Sequence, residues 1–222
     1  MSRTLPLCFL TLAALTGYPA EPNPAPTAEV SGVFGTAFAN PGTGDTAVRV
    51  GTMLAAGTTI RTDPGAAMDV YLGKEAGVIR LTQNTTLRIE HLTDTNGQTD
   101  IYLHLQRGTI LGNSGRHTSG SGPHASGQIK TSVGIAEVGS AAFRLHAEGY
   151  FVVLNGAARF AHVPAAGEPK LHSLNAPPAV YFSPTEGVKP APKELVREVV
   201  NQSKARLGKE LNDREPSAIR PK

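Results

Sequence analysis

Short apolar stretches punctuated by glycines, running from Val30 to Phe160, limit most strongly what this chain can fold into. Turn signals recur about every eight to twelve residues along this arc, a spacing typical of a β-sandwich or barrel. Ile101, Leu103 and Leu105 alternate with polar residues, and this period of two predicts a strand with one buried face. The sequence therefore predicts an all-β fold, a sandwich or roll of short antiparallel strands, with a β-solenoid as the alternative.

Several connections are predicted from residue types that favour turns and loops. Asn96-Gly97 predicts a tight hairpin, because both residues accept a positive φ, and Asn155-Gly156 predicts a second turn. The stretch from Gly112 to Gly127 is rich in Gly and Ser and predicts a long, mobile loop. Pro164 to Pro178 predicts irregular chain before one last short strand.

The N-terminal sequence predicts export. Arg3 precedes an apolar stretch from Leu5 to Leu15, which is about the length of a signal-peptide core and too short to span a bilayer. The single cysteine, Cys8, lies inside that stretch, so the mature chain is expected to contain no disulfide and no thiolate site. We expect a periplasmic or extracellular protein with no transmembrane segment.

Five segments are predicted along the chain. They are a signal peptide (1–20), a Pro-rich linker (21–28), a β domain (29–163), an irregular extension (164–188) and a basic helical or disordered tail (189–222). Apolar residues at 195, 196, 199, 200, 207 and 211 form a helical stripe, which predicts one C-terminal helix. The tail has nine basic and five acidic residues, a net charge of +4, which is too small to indicate a nucleic-acid partner.

An ordered set of short motifs runs through the β domain. The segments are Val30-Ser31-Gly32, Gly35-Thr36-Ala37, Val50 to Leu54 with Gly57, Ile60-Arg61-Thr62, Ile79-Arg80-Leu81, Asn84-Thr85, Leu87-Arg88-Ile89, Leu103 to Ile110, Ile129-Lys130-Thr131, Ala136 to Ser140, Phe143 and Gly156-Ala157. Taken in order, this set resembles the FecR family, the periplasmic part of iron-responsive anti-sigma regulators. Membrane-bound members carry a transmembrane helix before this domain. A signal peptide is predicted here instead, so we expect a free-standing exported protein.

The resemblance implies an all-β domain that acts in signalling or scaffolding outside the cytoplasm. It marks nine positions, which we expect to serve the scaffold rather than binding: Gly51, Gly57, Arg61, Thr62, Gly108, Thr131, Gly139, Phe143 and Gly156. Four of these glycines, at 57, 108, 139 and 156, are expected at turns or bulges. Arg61 is expected to pair with Asp63 or Asp69.

The side chains that carry chemistry do not form a recognisable catalytic or metal-binding motif in the sequence. The seven histidines lack ligand spacing with a carboxylate, and Ser121 lacks the Gly-x-Ser-x-Gly frame of a nucleophile elbow. Asp63 with Asp69, and Asp94 with Asp100, are near in sequence, but solvation at hairpins explains both pairs, so they do not indicate a glycoside hydrolase. We therefore expect a non-enzymatic protein with no cofactor and no metal.

The function predicted from these observations is an exported FecR-like binding or signalling module that contacts an envelope protein. Strand-edge or loop-mediated contact is the expected mode. The alternative is a carbohydrate- or peptidoglycan-binding envelope domain, which predicts exposed aromatic residues on one face. Tyr71, Tyr102 and Tyr150 are the candidate residues for such a face.

Overall fold

Short strands joined by tight turns make up most of the described chain. The computed structural model describes residues 27–73, 76–95, 98–113 and 126–204, which contain sixteen strands and one helix. The strands are β1 (Ala28–Phe34), β2 (Ala37–Asn40), β3 (Thr46–Ala47), β4 (Met53–Leu54), β5 (Thr59–Thr62), β6 (Ala67–Tyr71), β7 (Val78–Leu81), β8 (Thr86–Thr95), β9 (Gln98–Arg107), β10 (Thr109–Asn113), β11 (Ser126–Thr131), β12 (Gly134–His146), β13 (Phe151–His162), β14 (Lys170–Ala176), β15 (Val180–Ser183) and β16 (Gly187–Pro190). The helix is α1 (Lys193–Lys204).

The strands pair into one curled sheet. Its order is β3-β2-β5-β8-β9-β11-β12-β10-β7-β6-β1-β4, with β13 beside β12, β14 and β15 beside β13, and β16 beside β15. Among the described residues every pair is antiparallel except β9 with β11. The predicted all-β fold with one helix is therefore confirmed. The β-solenoid alternative is wrong, because stacked solenoid coils pair their strands in parallel.

The apolar residues of the alternating patterns fill the interior of the sheet. Ile101, Leu103 and Leu105 are at most 4% exposed. Phe151 and Phe160 are fully buried, and their ring centres lie 6.0 Å apart. Alternate side chains of a strand point to opposite faces, so one face of β9 lies in the core. β10 is buried on both faces, because Leu111 packs on the side away from the core.

β12 and β13 are long strands where the sequence predicted several short ones. β13 continues through Asn155-Gly156 to His162, so the turn predicted at Asn155-Gly156 is wrong. The register with β12 shifts in this region, and Gly156 has a φ of +85° within a β-bulge. Because an Asn-Gly pair favours a positive φ in a bulge as well as in a turn, its presence in a sequence does not distinguish a bulge from a turn.

Five predicted segments fall partly or wholly outside the described residues, and two of them are the Pro-rich linker (21–28) and the tail (189–222), because residues 21–26 and 205–222 are not described. The signal peptide (1–20) does so entirely, and so does the Asn96-Gly97 pair, although Thr95 lies opposite Gln98 as a two-residue hairpin requires. Gly112 and Asn113, predicted as the start of a long loop, belong to β10. β11 starts at Ser126, and residues 114–125 lie outside the described part.

The irregular extension expected at 164–188 is wrong where β14 and β16 lie, whereas β15 is the one last short strand that we expected after Pro178. β14 pairs with β13 along its whole length, and β15 pairs with both β13 and β16. In β14, Leu174 is fully buried while Leu171 is 63% exposed, so the strand has little apolar periodicity. Its position depends on backbone pairing with β13, which local hydrophobicity does not reveal.

Helix α1 packs on the face of the sheet opposite the core. Val199 is fully buried against Leu111 and Val152. This contact confirms the C-terminal helix predicted from the apolar stripe, whose Leu207 and Leu211 lie outside the described residues. Within the described residues, no helix has both the length and the apolar character needed to cross a membrane.

Candidate functional site

A buried threonine network joins three of the motif segments. Thr62 Oγ1 donates to the Thr82 carbonyl at 2.5 Å and accepts from the Thr85 amide at 3.1 Å. Thr85 Oγ1 in turn donates to the Thr109 carbonyl and accepts from the Thr109 amide, both at 3.1 Å. Gly108 lies so close that an added Cβ would sit 2.5 Å from Thr85 Oγ1. Thr62 and Gly108 thus hold neighbouring strands together rather than face solvent.

Arg61 binds two carboxylates at the surface. Its guanidinium donates to Asp63 at 2.6 Å and to Asp45 at 2.9 Å. The hydrogen bond from Arg61 lowers the pKa of Asp45 below its ordinary value. Asp63 is thus one of the two partners that we expected, whereas Asp69 is buried elsewhere and bonded to Arg80.

Asp69 and Arg80 form a buried ion pair beneath helix α1. Arg80 Nε and Nη2 donate to the two carboxylate oxygens of Asp69 at 2.7 and 3.0 Å. Arg80 Nη1 also donates, at 2.9 Å, to the Gln202 carbonyl in the last turn of α1, where a cation complements the helix dipole. Burial raises the pKa of Asp69, against the opposing effect of Arg80. This arginine ties the sheet to the helix.

The remaining motif residues lie in turns or in the packed interior, with one exception. Gly51 and Gly57 have φ values of +86° and +87° in turns, and Thr131 Oγ1 donates to the Gly134 carbonyl at 3.1 Å. The Phe143 ring fills the space over Gly112. The exception is Gly139, where an added Cβ would meet nothing closer than the Ala157 carbonyl oxygen at 3.8 Å.

The three candidate tyrosines do not form one face. Tyr71 lies on β6 and Tyr102 on β9, and four other strands separate these two in the sheet. Tyr150 precedes β13 and stacks on Tyr181, with ring centres 6.4 Å apart and planes 7° from parallel. The structure therefore does not assemble the sugar platform that the carbohydrate alternative predicted from these residues.

A shallow groove, here called the β14 groove, crosses β11, β12, β13 and β14 on the outer side of the sheet. It encloses about 550 Å³, and small residues, among them Gly127, Gly139 and Ala157, line it. Neither glycine has a close neighbour that would exclude a Cβ. The groove is therefore open because its residues are small, and larger side chains at these positions would fill it.

Polar side chains surround the small residues of the β14 groove. Arg159 and Glu137 form an ion pair at 2.7 Å, with both side chains more than 40% exposed. Ser173 and Asn175, on β14, line the groove from the other side. These groups supply hydrogen-bond donors and acceptors beside a floor that a ligand can approach closely.

β14 is an edge strand. Within the described residues it pairs with β13 and with no other strand, so the backbone N–H and C=O groups along its second edge are not used in the sheet. Edge strands are commonly protected from unwanted pairing by a lysine, a proline or a β-bulge. β14 has an exposed lysine, Lys170, but it contains no proline and no register shift against β13. Seven residues of strand edge thus lie directly beside the groove.

The sequence did not indicate this region, because residues 164–178 were expected to be irregular. The two leucines of β14, Leu171 and Leu174, are three residues apart and only Leu174 is buried, so the strand lacks the alternation that predicts one. The small residues at 157 and 158 indicated only a strand. The groove becomes apparent only when β13 and β14 lie side by side.

Histidine–carboxylate contacts are isolated pairs. His104 Nδ1 lies 3.6 Å from Glu90, and His146 Nδ1 lies 3.9 Å from Glu148. Across the described ranges, no group of three or more His, Cys, Asp and Glu side chains is arranged to hold a metal ion.

Comparison with known proteins gives a distant likeness in fold. No protein-family model and no curated protein matches the chain. Two crystal structures of a candidate anti-sigma factor from Parabacteroides distasonis ATCC 8503 are similar, with TM-scores of 0.44 and 0.45 and identities of 16% and 15%. The similarity covers 66% of this chain and 65% and 64% of those chains, just under two thirds of their length.

Proposed function

We propose that this protein is an exported, non-enzymatic binding or signalling module that contacts an envelope protein along the edge of β14. In this proposal an extended segment of the partner adds to β14 as a further strand. The single observation that carries it is the seven-residue strand edge, unpaired within the described residues, beside an open groove. Strand addition to an exposed sheet edge is a common mode of peptide recognition.

The backbone of β14 supplies affinity in this mode. An added strand gains hydrogen bonds to main-chain groups whatever its sequence, because every residue of the partner carries the same donor and acceptor. β14 is held in place by seven residue pairs with β13, so its edge is ordered before a partner arrives. A pre-formed edge avoids the entropy cost of ordering both strands on binding.

The β14 groove supplies selectivity. Every second side chain of an added strand points to the face of the sheet on which the groove lies. The groove is lined by small residues, so it has room for a bulky side chain of the partner. Arg159, Ser173 and Asn175 place polar groups where these side chains would arrive. The partner segment is therefore expected to alternate bulky and polar residues.

Export and signalling rest on the sequence. The predicted signal peptide supports export, and the FecR resemblance of residues 29–163 supports a role in signalling or scaffolding outside the cytoplasm. A neighbouring gene for a sigma factor or an iron receptor would favour signalling. Neighbouring polysaccharide or surface-layer genes would favour scaffolding.

The test is affinity capture from the native cell envelope, using residues 21–222 as bait and quantitative mass spectrometry as readout. The variant is Ser173→Lys, which places a charge on β14 beside the groove. The matched control is Thr46→Lys, at an exposed position on the edge strand β3. We expect the recovery of a specific envelope protein to fall at least about tenfold for Ser173→Lys and to stay unchanged for Thr46→Lys.

The circular dichroism spectrum and melting temperature of each variant must match the unchanged bait. Equal loss of partner in both variants, or no loss in either, would contradict docking at β14.

A further inference from the structure

An apolar row crosses the outer face of the sheet and ends at the open edge of β14. Ile135 of β12, Ala161 of β13 and Leu171 of β14 lie side by side in register. Leu171 is two residues from Ser173, so its side chain points to the face on which the β14 groove lies. Val163, two residues beyond Ala161, is 53% exposed. The β14 groove is therefore flanked by an apolar surface that reaches the strand edge.

Leu171 is the exposed end of this apolar row. Its side chain is 63% exposed, more than that of any other large apolar residue in the described ranges. On one side it adjoins Ala161, and on the other side β14 has no neighbouring strand among the described residues. Single exposed leucines are common on protein surfaces, but this one stands on an unpaired strand edge. A strand added there would place a side chain about 5 Å from Leu171 and bury both.

The charge of this part of the sheet favours an acidic partner. Strands β11 to β14 contain one carboxylate, Glu137, and it is bound to Arg159. Lys130 and Lys170 are exposed, and neither forms an ion pair with a described residue. These four strands therefore carry two cations that are not neutralised within the described part of the chain. One of them, Lys170, is next to Leu171 on the open edge.

We propose that the segment added to β14 carries an acidic residue next to a bulky apolar residue. The apolar side chain packs on Leu171, and the acidic side chain, one position along the segment, lies opposite Lys170. Neighbouring residues of a strand point to opposite faces, so the two contacts are made on the two sides of one edge. This inference rests on the proposed function and names the chemistry by which the β14 edge selects its partner.

The contact with Leu171 is expected to matter more than the contact with Lys170. Leu171 lies inside the added interface, where its apolar surface is removed from water. Lys170 begins the strand and is exposed, so water and salt weaken its attraction to a carboxylate. Substitution of Leu171 should therefore reduce binding more than substitution of Lys170.

The experiment is affinity capture from the native cell envelope with residues 21–222 as bait. We expect Leu171→Ser to lower the recovery of the envelope protein at least about tenfold. Leu171→Met keeps a similar apolar volume and should lower it less than about twofold. The matched control is Phe34→Ser at the end of β1, which removes a side chain that is 61% exposed and should leave recovery unchanged. Equal melting temperatures of all baits exclude a loss of fold.

Lys170→Glu tests the charge of the edge. Reversing the charge should lower recovery at least about threefold, and Lys170→Gln should lower it less. High salt should reduce the difference between Lys170→Glu and the unchanged bait. The control is Arg49→Glu, at an exposed position between β3 and β4, which should leave recovery unchanged. The partner segment that crosslinks to β14 should contain an acidic residue next to a bulky apolar one.

The outcomes separate this inference from strand addition itself. Recovery that depends on Ser173 but not on Leu171 would overturn the inference and leave strand addition intact. Equal losses for Leu171→Ser and Phe34→Ser would also overturn it. If sedimentation velocity shows a dimer of the bait that Leu171→Ser dissociates, the edge binds a second copy of this chain and the inference is wrong. Failure to capture any specific envelope protein would overturn both proposals.

Discussion

At the scale of single residues, the motif glycines fall into two physical classes. Gly156 has a φ of +85°, and an added Cβ would collide with the Ser140 carbonyl and with the backbone of Ala141. Gly139 has neither a positive φ nor a close neighbour. The first is required by the bulge between β12 and β13, and the second keeps the floor of the β14 groove low.

Alanine at these two glycines should therefore have opposite consequences. We expect Gly156→Ala to lower the free energy of unfolding by at least about 2 kcal/mol, from the left-handed backbone and the collision together. Gly139→Ala should change it by less than about 0.5 kcal/mol. Urea unfolding of both variants measures the difference. Equal destabilisation would show that the bulge geometry described here is wrong.

Two arginines test the effect of burial on an ion pair. Arg80 is 8% exposed and bonded to a fully buried Asp69, whereas the Arg61 side chain is 43% exposed. We expect Arg80→Met to cost about 3–5 kcal/mol, because it leaves a buried carboxylate without its partner. Arg61→Met should cost much less, because solvent screens the ion pairs of this exposed side chain. Chemical denaturation of the two variants provides the comparison, and similar losses would contradict the buried position of Arg80.

At the scale of elements, α1 and β14 are added to the core sheet in different ways. α1 is held by one fully buried side chain, Val199, and by Arg80 at its last turn. β14 is held by backbone pairing to β13 and by a single fully buried side chain, Leu174. Each element buries few apolar side chains. Truncating the fully buried one, Val199 in α1 or Leu174 in β14, should therefore weaken its packing on the sheet.

Val199 should anchor the helix. Truncation in Val199→Ala removes apolar surface buried against Leu111 and Val152, so we expect a loss of roughly 1–3 kcal/mol. Arg197→Ala, at an exposed position on the same helix, is the control and should change stability by less than about 0.5 kcal/mol. Thermal unfolding followed by circular dichroism gives both values. A neutral Val199→Ala would mean that α1 does not pack on the sheet.

His172 should make β14 sensitive to pH. Burial beside Phe182, together with the charges of His162 and Lys170, lowers the pKa of His172. A lowered pKa means that the folded protein binds fewer protons than the unfolded chain. This contribution to stability is present above the unfolded pKa of about 6.5 and is lost as pH falls through the folded pKa.

The melting temperature should therefore fall between about pH 7.5 and about pH 5, and His172→Gln should reduce that fall. The measurement is differential scanning calorimetry of both proteins at the two pH values. An identical fall in the variant would assign the pH dependence to other groups.

At the scale of the whole molecule, the sequence was enough to predict the class of fold but not its candidate surfaces. Alternation in β9 predicted which of its residues form the core, because burial of one strand face is a local property. The β14 groove is built by residues far apart in the sequence, from β11 to β14. The burial of Asp69 likewise has no local signal, because it depends on the pairing with Arg80 beneath α1.

The central claim is that a partner binds along the edge of β14, and site-specific photo-crosslinking tests it most directly. A photoreactive amino acid is placed at Ser173, or at Thr46 on β3 as the control, and the protein is irradiated in its native envelope. We predict that Ser173 forms a specific crosslink to an extended segment of one envelope protein and that Thr46 does not. Crosslinks of equal yield at both positions, or none at Ser173, would contradict the account.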